Sequence, residues 1–551
     1  MGRLSRIGWG WWYVVLGGLS LGLRASLPPI PLFGSRHDDE LQATLAGALL
    51  RGEWLGEWTA LTLSKGPGYP LFLAGIHPLG LPPTIAQQVI YLGGAGLLAV
   101  GLARWGAQPW LGRATFAALA LNPAMLSFSA SRVYREGLVA ALGVLAVGLA
   151  VMLALHLRTA TPTRRWWAGA IGWSGALGLV LGVLAITRAD TIWLAAVCAG
   201  ILAVGMCVGR SALMAAGVVV VAGALYAIPS AVVAQANAHA YGLRTVDDFN
   251  RGPFAQMWSA WVRVQPHSPD RADALWVHQR APVYAVSPAA ERLAPLVEGG
   301  SAVLLEAQFR AWVIYEAPLG QVSTASERAD YFRQIAEDIT RACADGRLTC
   351  SGTPVGVGMP VVQRFAWAQV ARTMAATLAD GLLRMRVAFV TDEVSARSPE
   401  AARRGVPGST VDTGTGAAWS AAVRGLPSPP GVLPRVDSPI LIGQQFLARA
   451  YSVVWVVMLL PAALGVLLAL ARSRLRNQLA WVAISCWAGV GAHLGILAIF
   501  SVHAANSLAD GYAHYLLATA PIALTATVIG VALLAGGLPP RGGPATAVPP
   551  M

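Results

Sequence analysis

Three adjacent carboxylates and one lysine are the residues of this chain whose types and spacing suggest chemistry. Asp38, Asp39 and Glu40 follow a proline-rich stretch. Adjacent carboxylates beside a membrane are costly unless they are solvated, bind a metal or act as bases. Lys65 is the single lysine, and the rest of the 40 basic residues are arginines. This chain uses arginine at every other basic position, so its single lysine indicates a site that needs a compact ammonium group. Binding of phosphate is such a use.

Both signals have simpler interpretations, which the residues alone leave open. An acidic run is common in solvated loops, and a single lysine can fall anywhere by chance. The Gly66-Pro67-Gly68 step after Lys65 lets other groups approach the backbone closely, as at sites where a ligand crowds the main chain.

Further polar residues collect at the ends of hydrophobic segments on the same side of the predicted membrane. Ion pairs with lipid headgroups are the simpler explanation for any one of them. Short turns need no such charges to reverse the chain, however, and charges at a membrane boundary usually line a cavity or pair with one another. Together they predict a polar site between helices. The residues are Arg132, Tyr134, Arg135, Glu136, Arg188, Asp190, His503, Asn506, Asp510, Tyr512, His514 and Tyr515.

Membrane spans are the elements that must position these residues. Of the 551 residues, 55% are hydrophobic and only 12% are charged, and the mean hydropathy is +0.56. A soluble protein is about 25% charged, so the composition excludes an ordinary cytosolic enzyme. Apolar runs of roughly 20 residues predict an α-helical polytopic membrane protein. The ten predicted spans are 8–24, 85–103, 113–130, 137–157, 169–187, 191–208, 212–228, 446–470, 479–501 and 514–535.

Basic residues set the predicted orientation and account for the net charge of +13. With the N-terminus inside, the cytoplasmic segments hold twelve arginines and no acid, which is the pattern typical of cytoplasmic loops. The other side, where all 27 acids lie, is almost neutral. The charge therefore records topology and anionic headgroups, and nucleic acid is not an expected partner.

The spans divide the chain into three parts. Residues 1–228 form a module of seven spans that includes a first external loop, 25–84. Residues 229–445 form a mainly helical external domain, and residues 446–551 hold three spans and a short cytoplasmic tail. Within the domain, apolar spacing predicts a helix over 326–344 and another over 361–390. A Gly-, Pro-, Ser- and Thr-rich linker follows from Ser395 to Pro439.

The five cysteines fall into two groups. Cys198, Cys207 and Cys486 lie in predicted spans and are expected to serve packing. Cys343 and Cys350 lie in the external domain, where a disulfide is favoured over two free thiols in an oxidising compartment. No spacing resembles a zinc site.

The first external loop resembles the GT-C superfamily of membrane glycosyltransferases, especially the aminoarabinose and protein O-mannosyl transferases. The likeness covers residues 36–74: an acidic opening, an Arg-Gly-Glu-Trp step at 51–54, and Lys-Gly-Pro-Gly-Tyr-Pro at 65–70. The arginine-bearing ends of spans three and five match more loosely. The domain at 229–445 has no match, which leaves the acceptor less defined than the donor.

The resemblance implies a GT-C-like arrangement and an inverting transfer from a polyprenyl-phosphate sugar to an acceptor that is a protein, lipid or polysaccharide. Asp38 or Asp39 would be the base, supported by His37 and Glu40, and Lys65 would bind the phosphate. Three arginines are candidates for the phosphate or the sugar, and two tyrosines would stack on the sugar or belong to the interfacial aromatic belt. The residues in these two sets are Arg132, Arg135 and Arg188, and Tyr69 and Tyr134.

Some members of the superfamily bind a divalent cation at the acidic loop, which makes such a cation a possible cofactor here. His37, Asp38, Asp39 and Glu40 offer suitable ligand atoms. The implied location is the bacterial cytoplasmic membrane, with the site and the large domain extracytoplasmic.

Two other classes of protein remain as alternatives. A transporter or flippase of a lipid-linked or anionic substrate should carry charges near the middle of its spans, whereas these spans are apolar inside. A non-catalytic cell-envelope assembly protein would use the external domain to bind polymer.

Overall fold

Helices of spanning length dominate the fold. The computed structural model describes residues 4–27, 29, 37–106, 108–158, 163–206, 212–265, 275–295, 307–350, 439–472, 477–504 and 513–535. Seven helices in these ranges are long and apolar enough to cross a membrane: Pro83–Trp105, Glu136–Arg158, Arg164–Thr187, Ala216–Tyr241, Phe446–Arg472, Gln478–Leu497 and Tyr515–Leu534. The prediction of a helical polytopic membrane protein is confirmed, but the prediction of ten spans is not.

The first ten α-helices alternate between long segments and short connecting helices. Their bounds are α1 Leu4–Ala25, α2 Asp39–Leu50, α3 Gly68–Ile76, α4 Pro83–Trp105, α5 Pro109–Ala120, α6 Phe128–Ser131, α7 Glu136–Arg158, α8 Arg164–Thr187, α9 Ile192–Met206 and α10 Ala212–Tyr241. Three helices follow the external domain: Pro439–Arg472, Gln478–Ala504 and Thr519–Leu534.

The predicted third span is a broken segment. Helix α5 has 12 residues, and a 3₁₀ turn, Pro123–Leu126, separates it from the four residues of α6. The side chain of Asn122 accepts a hydrogen bond from the backbone N–H of Ala124, at 3.0 Å. Proline has no N–H to continue a helix, and asparagine favours a new helix start. In the predicted sixth span, the described helix α9 has 15 residues, and Cys207 lies outside the described residues.

Helix α7 is the centre of the bundle. It packs against α4, α8, α9 and the last helix, and almost all of its residues are buried. Gly148 permits the close approach to α4, because a Cβ there would lie 2.8 Å from the carbonyl oxygen of Gly94. Since α7 begins at Glu136, its start carries the adjoining Arg132 and Arg135 to one end of the bundle.

Helix α10 extends beyond the predicted end of the seventh span. It contains Pro229 and ends at Tyr241, because the alanine-rich residues after the proline favour helix. Residues of the first external loop also form hydrogen bonds with the last turns of α10. The indole N–H of Trp54 donates to Asn237 at 2.8 Å, and the hydroxyl of Tyr241 donates to the carbonyl of Gly56 at 2.7 Å. The start of the predicted external domain therefore continues the helix of the seventh predicted span to Tyr241.

The described part of the external domain is a cluster of helices around an aromatic core. The helices are Asp248–Arg251, Pro253–Trp261, Leu275–Val286, Pro288–Glu291, Ala307–Glu316 and Ala325–Ala344. The last of these confirms the predicted helix over 326–344, and it buries the predicted face of Tyr331, Ile335, Ile339 and Ala342. The predicted helix over 361–390 and residues 395–438 of the predicted linker lie outside the described residues.

Arg328 connects the external domain to the first external loop. Its buried guanidinium donates to the carbonyl of Ala60 at 2.6 Å and to the hydroxyl of Tyr315 at 2.8 Å. It also pairs with the buried carboxylate of Asp248 at 3.2 Å. Cys343 joins Cys350 in a disulfide at the end of the last domain helix. Buried polar contacts therefore join the described part of the domain to the loop.

Candidate active site

The two aspartates stand at the start of α2 in different environments. Helix α2 begins at Asp39, and Asp38 is its N-cap residue, where the helix dipole favours negative charge. Asp39 is only 1% exposed and pairs with Arg132. Asp38 keeps 34% of its side chain exposed and pairs with Lys65. Its second carboxylate oxygen lies 4.0 Å from Arg132. Asp38 is therefore open to an incoming group, and Asp39 is not.

Two glycines hold the segment that carries Lys65 against α8. A Cβ at Gly66 would lie 2.1 Å from the carbonyl oxygen of Ile186, and one at Gly68 would lie 2.2 Å from the hydroxyl oxygen of Thr187. Only glycine allows the two backbones to come so close. The group that these glycines admit is the end of α8, and not the ligand that the sequence suggested.

The ammonium of Lys65 is buried between the bundle and the external domain. It lies 3.5 Å from the hydroxyl oxygen of Tyr134 and 5.3 Å from the centre of that ring. The ring of Trp312, on the domain helix Ala307–Glu316, is centred 5.8 Å from the same nitrogen. Burial lowers the pKa of Lys65 to about 8, against the opposing attraction of Asp38. The lysine is therefore mainly cationic at neutral pH and titrates just above it.

The charge of Asp38 is set by its cationic neighbours. Burial by itself would raise the pKa of this carboxyl. The attraction of Lys65, Arg135 and Arg132 outweighs burial and holds the pKa well below its usual range. Asp38 is therefore ionised at neutral pH and, while it faces Lys65, it is a weak base.

The two predicted tyrosines lie inside the protein. Tyr134 is 2% exposed, and the guanidinium carbons of Arg132 and Arg135 lie 4.9 and 5.3 Å from the centre of its ring. Such cation–π contacts stabilise neighbouring positive charges. Tyr69 is fully buried, and its hydroxyl accepts a hydrogen bond from Gln87 at 3.4 Å. Neither ring therefore fits the prediction of an exposed stacking surface or an interfacial belt.

Arg135 differs from the other arginines of the site in its hydrogen bonding. Within the described ranges, no acceptor forms a hydrogen bond with it, and its Nε lies 3.7 Å from the carboxylate of Glu136. A guanidinium without a hydrogen-bonded carboxylate is suited to binding an anion. We refer to the group Asp38, Asp39, Lys65, Arg132, Tyr134 and Arg135 as the Lys65 cluster.

Arg188 belongs to a second group beside the first. It bonds Glu136, which is fully buried, and it binds Asp190 through two parallel contacts of 2.5 and 2.6 Å. Its guanidinium carbon lies 4.5 Å from the centre of the Tyr515 ring. We refer to Glu136, Arg188, Asp190 and Tyr515 as the Arg188 cluster. All three guanidinium nitrogens of Arg188 already donate to carboxylates, so it is less available to a ligand than Arg135.

In the described ranges, the side chains of the predicted supporting residues form no hydrogen bond or ion pair with the two aspartates. His37 Nε2 lies 2.5 Å from a carboxylate oxygen of Glu316 in the external domain, and the His37 ring packs on Trp312 with centres 4.7 Å apart. Glu40 is half-buried, and its side chain forms no ion pair with the described residues. These two side chains therefore do not complete an acidic pocket.

The predicted divalent cation does not fit these residues. The carboxylates of Asp38 and Asp39 already face Lys65 and Arg132. In the described ranges, no group of three or more His, Cys, Asp or Glu side chains is close enough to hold a metal. No step of the proposed reaction below uses a metal.

Two residues near the site were not anticipated from the sequence. Trp312 comes from the domain that matched no known pattern, and only the tertiary fold brings it to Lys65. Arg24 is a buried arginine at the end of α1 that donates to the carbonyls of Met125 and Ala130 at 2.9 and 2.6 Å. Its signal was a lone basic residue at the external end of the first predicted span. Asn506, Asp510 and Tyr512 lie outside the described residues, as do the side chains of His503 and His514.

Comparisons with known proteins give distant likenesses. No protein-family model matches this sequence, and no curated protein matches it. The structure of ArnT from Cupriavidus metallidurans in the apo state is 16% identical, with a TM-score of 0.31 over 91% of this chain and 78% of that chain. The structure of the same protein bound to undecaprenyl phosphate is 17% identical, with a TM-score of 0.30 over 90% and 78% of the two chains. Likenesses at this level assign no family or activity to the chain.

Proposed function

We propose that this protein is a GT-C-type glycosyltransferase that moves a sugar from a polyprenyl-phosphate donor to an acceptor hydroxyl, inverting the anomeric carbon. The observation that carries the proposal is the pairing of the half-exposed carboxylate of Asp38 with the buried ammonium of Lys65. A base for the acceptor and a cation for the leaving phosphate are the two groups that such a reaction needs. The resemblance of residues 36–74 to GT-C transferases supports it.

The position of the site favours a lipid-linked donor. In the seven described spans, every Lys, Arg, Asp and Glu lies within four residues of an end of the span. The charged groups thus gather at the depth of lipid headgroups. A phosphate at that depth can reach Lys65 while its polyprenyl chain stays in the bilayer. The apolar interiors of the spans also disfavour a transporter, whose substrate site lies near the bilayer midplane.

The proposed chemistry is a single displacement. The acceptor oxygen attacks the anomeric carbon on the face opposite the phosphate, and the new C–O bond forms as the bond to the phosphate oxygen breaks. Asp38 takes the acceptor proton, and a positioned base of this kind contributes about 10²–10⁴-fold in rate. The electron pair leaves on the phosphate, where Lys65 and Arg135 stabilise the charge. The products are the glycosylated acceptor and polyprenyl phosphate.

Donor binding would also prepare the base. Lys65 bonds Asp38 in this structure and so keeps the pKa of the carboxyl low. A donor phosphate that takes over the ammonium weakens this attraction, and the pKa of Asp38 then rises toward its ordinary value. Asp39 keeps its own partner, Arg132, and would position that guanidinium throughout. The carboxylate thus becomes an effective base after the donor has bound.

We place the site on the extracytoplasmic side of the bacterial cytoplasmic membrane. Support comes from the arginines without acids in the loops predicted at the opposite end of the bundle. The external domain covers the site from that side, so we assign it to binding the acceptor.

Mass spectrometry of polyprenyl-linked sugars tests the proposal. Cells that lack the protein should accumulate a polyprenyl-phosphate sugar, because its consumer is missing. Wild-type protein should restore the normal level, and Asp38→Asn should not. Asp330→Asn provides a matched control, since Asp330 is an exposed acid that pairs with Arg333 on the domain surface.

Two results would contradict the proposal. An unchanged lipid-linked sugar pool in cells without the protein would exclude a transferase that consumes such a donor. Full restoration by the double variant Asp38→Asn/Asp39→Asn would exclude a carboxylate base at the start of α2.

A further inference from the structure

Trp312 is a residue of the external domain that lies beside the proposed chemistry. The centre of its ring lies 5.8 Å from the ammonium of Lys65. Phe249 holds the indole by stacking, with ring centres 4.2 Å apart and planes 18° apart. Trp312 is half-buried, and its indole N–H has no hydrogen-bond acceptor in the part of the chain that the structure describes. The ring is thus fixed in position beside the phosphate-binding cation.

The other aromatic rings of the two clusters face cations of the protein. Tyr134 is 2% exposed and faces three cations. Tyr515 is half-buried, and the centre of its ring lies 4.5 Å from the guanidinium carbon of Arg188. A ligand that reaches Lys65 also meets the half-buried ring of Trp312, whose centre lies 5.8 Å from the ammonium.

We propose that Trp312 forms the wall of the donor-sugar subsite and stacks against the sugar ring that is transferred. This inference rests on the proposed function. A sugar is joined to its phosphate through one oxygen atom, so its ring must lie beside the cation that holds the phosphate. The faces of a sugar ring carry C–H groups, which pack favourably on the negative face of an aromatic ring. The free indole N–H is a donor for a sugar hydroxyl.

The subsite gives the external domain a direct part in donor recognition. Trp312 reaches Lys65 only because the helix Ala307–Glu316 is docked on the first external loop. His37 and Glu316 form one contact of this docking, and the tilted contact of the His37 ring with the indole forms another. The membrane module would bind the lipid phosphate, and the external domain would contact the sugar.

Binding of two kinds of lipid to the full-length protein in nanodiscs distinguishes recognition of the phosphate from recognition of the sugar. The probes are undecaprenyl phosphate, which has no sugar, and undecaprenyl phosphate that carries mannose or aminoarabinose. We expect Trp312→Ala to weaken binding of both sugar-bearing lipids about fivefold to tenfold and to change the affinity for undecaprenyl phosphate less than twofold. Trp312→Phe should retain most of the sugar-dependent affinity because it keeps a ring.

The sugar-free lipid and a surface variant control for misfolding. Leu319→Ala alters an exposed residue of the same domain and should leave both affinities unchanged. An equal loss for lipids with and without sugar would show a structural role for Trp312 and overturn the inference, while the proposed function would stand. A change only in the KM of the acceptor would also overturn it. If wild-type protein binds none of the lipids, the proposed function fails with it.

Discussion

The Lys65 cluster and the Arg188 cluster lie side by side at one end of the bundle, and they are built from the same residue types. The Lys65 cluster has three cations and two carboxylates, so its net charge is +1. The Arg188 cluster has one cation and two carboxylates, so its net charge is −1. Each has a fully buried carboxylate, and each has one that is about one-third exposed, namely Asp38 at 34% and Asp190 at 32%.

The clusters differ in the use of their cations. Every guanidinium nitrogen of Arg188 donates to a carboxylate, and its partners belong to the ends of packed helices. In the other cluster Arg135 has no hydrogen-bonded acceptor among the described residues, and Lys65 pairs with an aspartate that is itself partly exposed. Closed charge networks join helices, whereas an excess of cations suits an anionic ligand. The difference supports the proposed binding and chemistry at the Lys65 cluster, and it indicates that the Arg188 cluster joins packed helices.

Asp38 and Asp190, the two aspartates that are about one-third exposed, provide the strongest test of this difference. Asp38→Asn should lower the rate of sugar transfer by about 10²–10⁴-fold, because the acceptor proton loses its base. Asp190→Asn should lower it less than tenfold, because Asp190 touches Arg188 and not the proposed reacting atoms. Turnover of a labelled lipid-linked sugar by purified variants measures both. Equal losses in the two variants would remove the distinction between the clusters.

The buried carboxylate of the Arg188 cluster should matter for stability. Glu136→Leu leaves a buried guanidinium with one carboxylate fewer, and breaking a buried ion pair costs about 3–5 kcal/mol. Adding Arg188→Met should recover much of this loss, because apolar residues of similar size replace both partners. Thermal unfolding in detergent measures the two variants. A single variant as stable as the wild type would show that the cluster does not hold the helices.

In the Lys65 cluster, Lys65 should contribute to the binding of the lipid phosphate. Lys65→Met should weaken the binding of undecaprenyl phosphate about 10-fold to 100-fold, as expected for a lost hydrogen bond between charged groups. Asp190→Asn is the matched control, and it should leave this affinity unchanged. Affinity measured in nanodiscs provides the readout. Unchanged binding by the Lys65 variant would exclude the lysine as the phosphate ligand.

The sequence predicted that Asp38, Lys65, Arg132 and Arg135 would meet, and the reason is topological. Asp38 and Lys65 lie in the first external loop, and Arg132 and Arg135 come much later in the chain, immediately before α7. A membrane protein can place polar residues only at the ends of such segments or in its cavities. Because successive spans run in opposite directions, loops that lie far apart in the chain meet at the same end of the bundle. The start of α7 at Glu136 brings Arg132 and Arg135 to that end, as expected.

The pairing within the site could not be predicted in the same way. Asp38 and Asp39 are neighbours in sequence, but the start of α2 turns one toward Lys65 and buries the other against Arg132. Trp312 reaches the site through the docking of a domain, which no local pattern encodes. The break in the third span depends on one Asn-Pro step, whereas the apolar residues on either side of that step predict a continuous span.

The pH dependence of donor binding is the finest test of the contrast between the clusters. The pKa of Lys65 is lowered to about 8 by burial, so the lysine is cationic below that pH and loses its charge above it. In the Arg188 cluster, the pKa of Arg188 is raised and that of Asp190 is lowered, with burial opposing both shifts, so both residues keep their charges. Affinity for a sugar-bearing lipid phosphate, whose diester keeps a constant charge, should therefore stay level up to about pH 7 and fall up to tenfold per unit above about pH 8.

Two variants determine whether Lys65 causes that decline. Lys65→Arg should keep the affinity level to about pH 10, because arginine does not lose its proton in this range. Asp38→Asn removes a charge that raises the pKa of the lysine, so the decline should begin at a lower pH than in the wild type. A decline that persists in Lys65→Arg would assign the titration to another group. Without a shift in Asp38→Asn, the carboxylate and the ammonium would not be coupled, and the proposed exchange of Lys65 from Asp38 to the donor phosphate would fail with them.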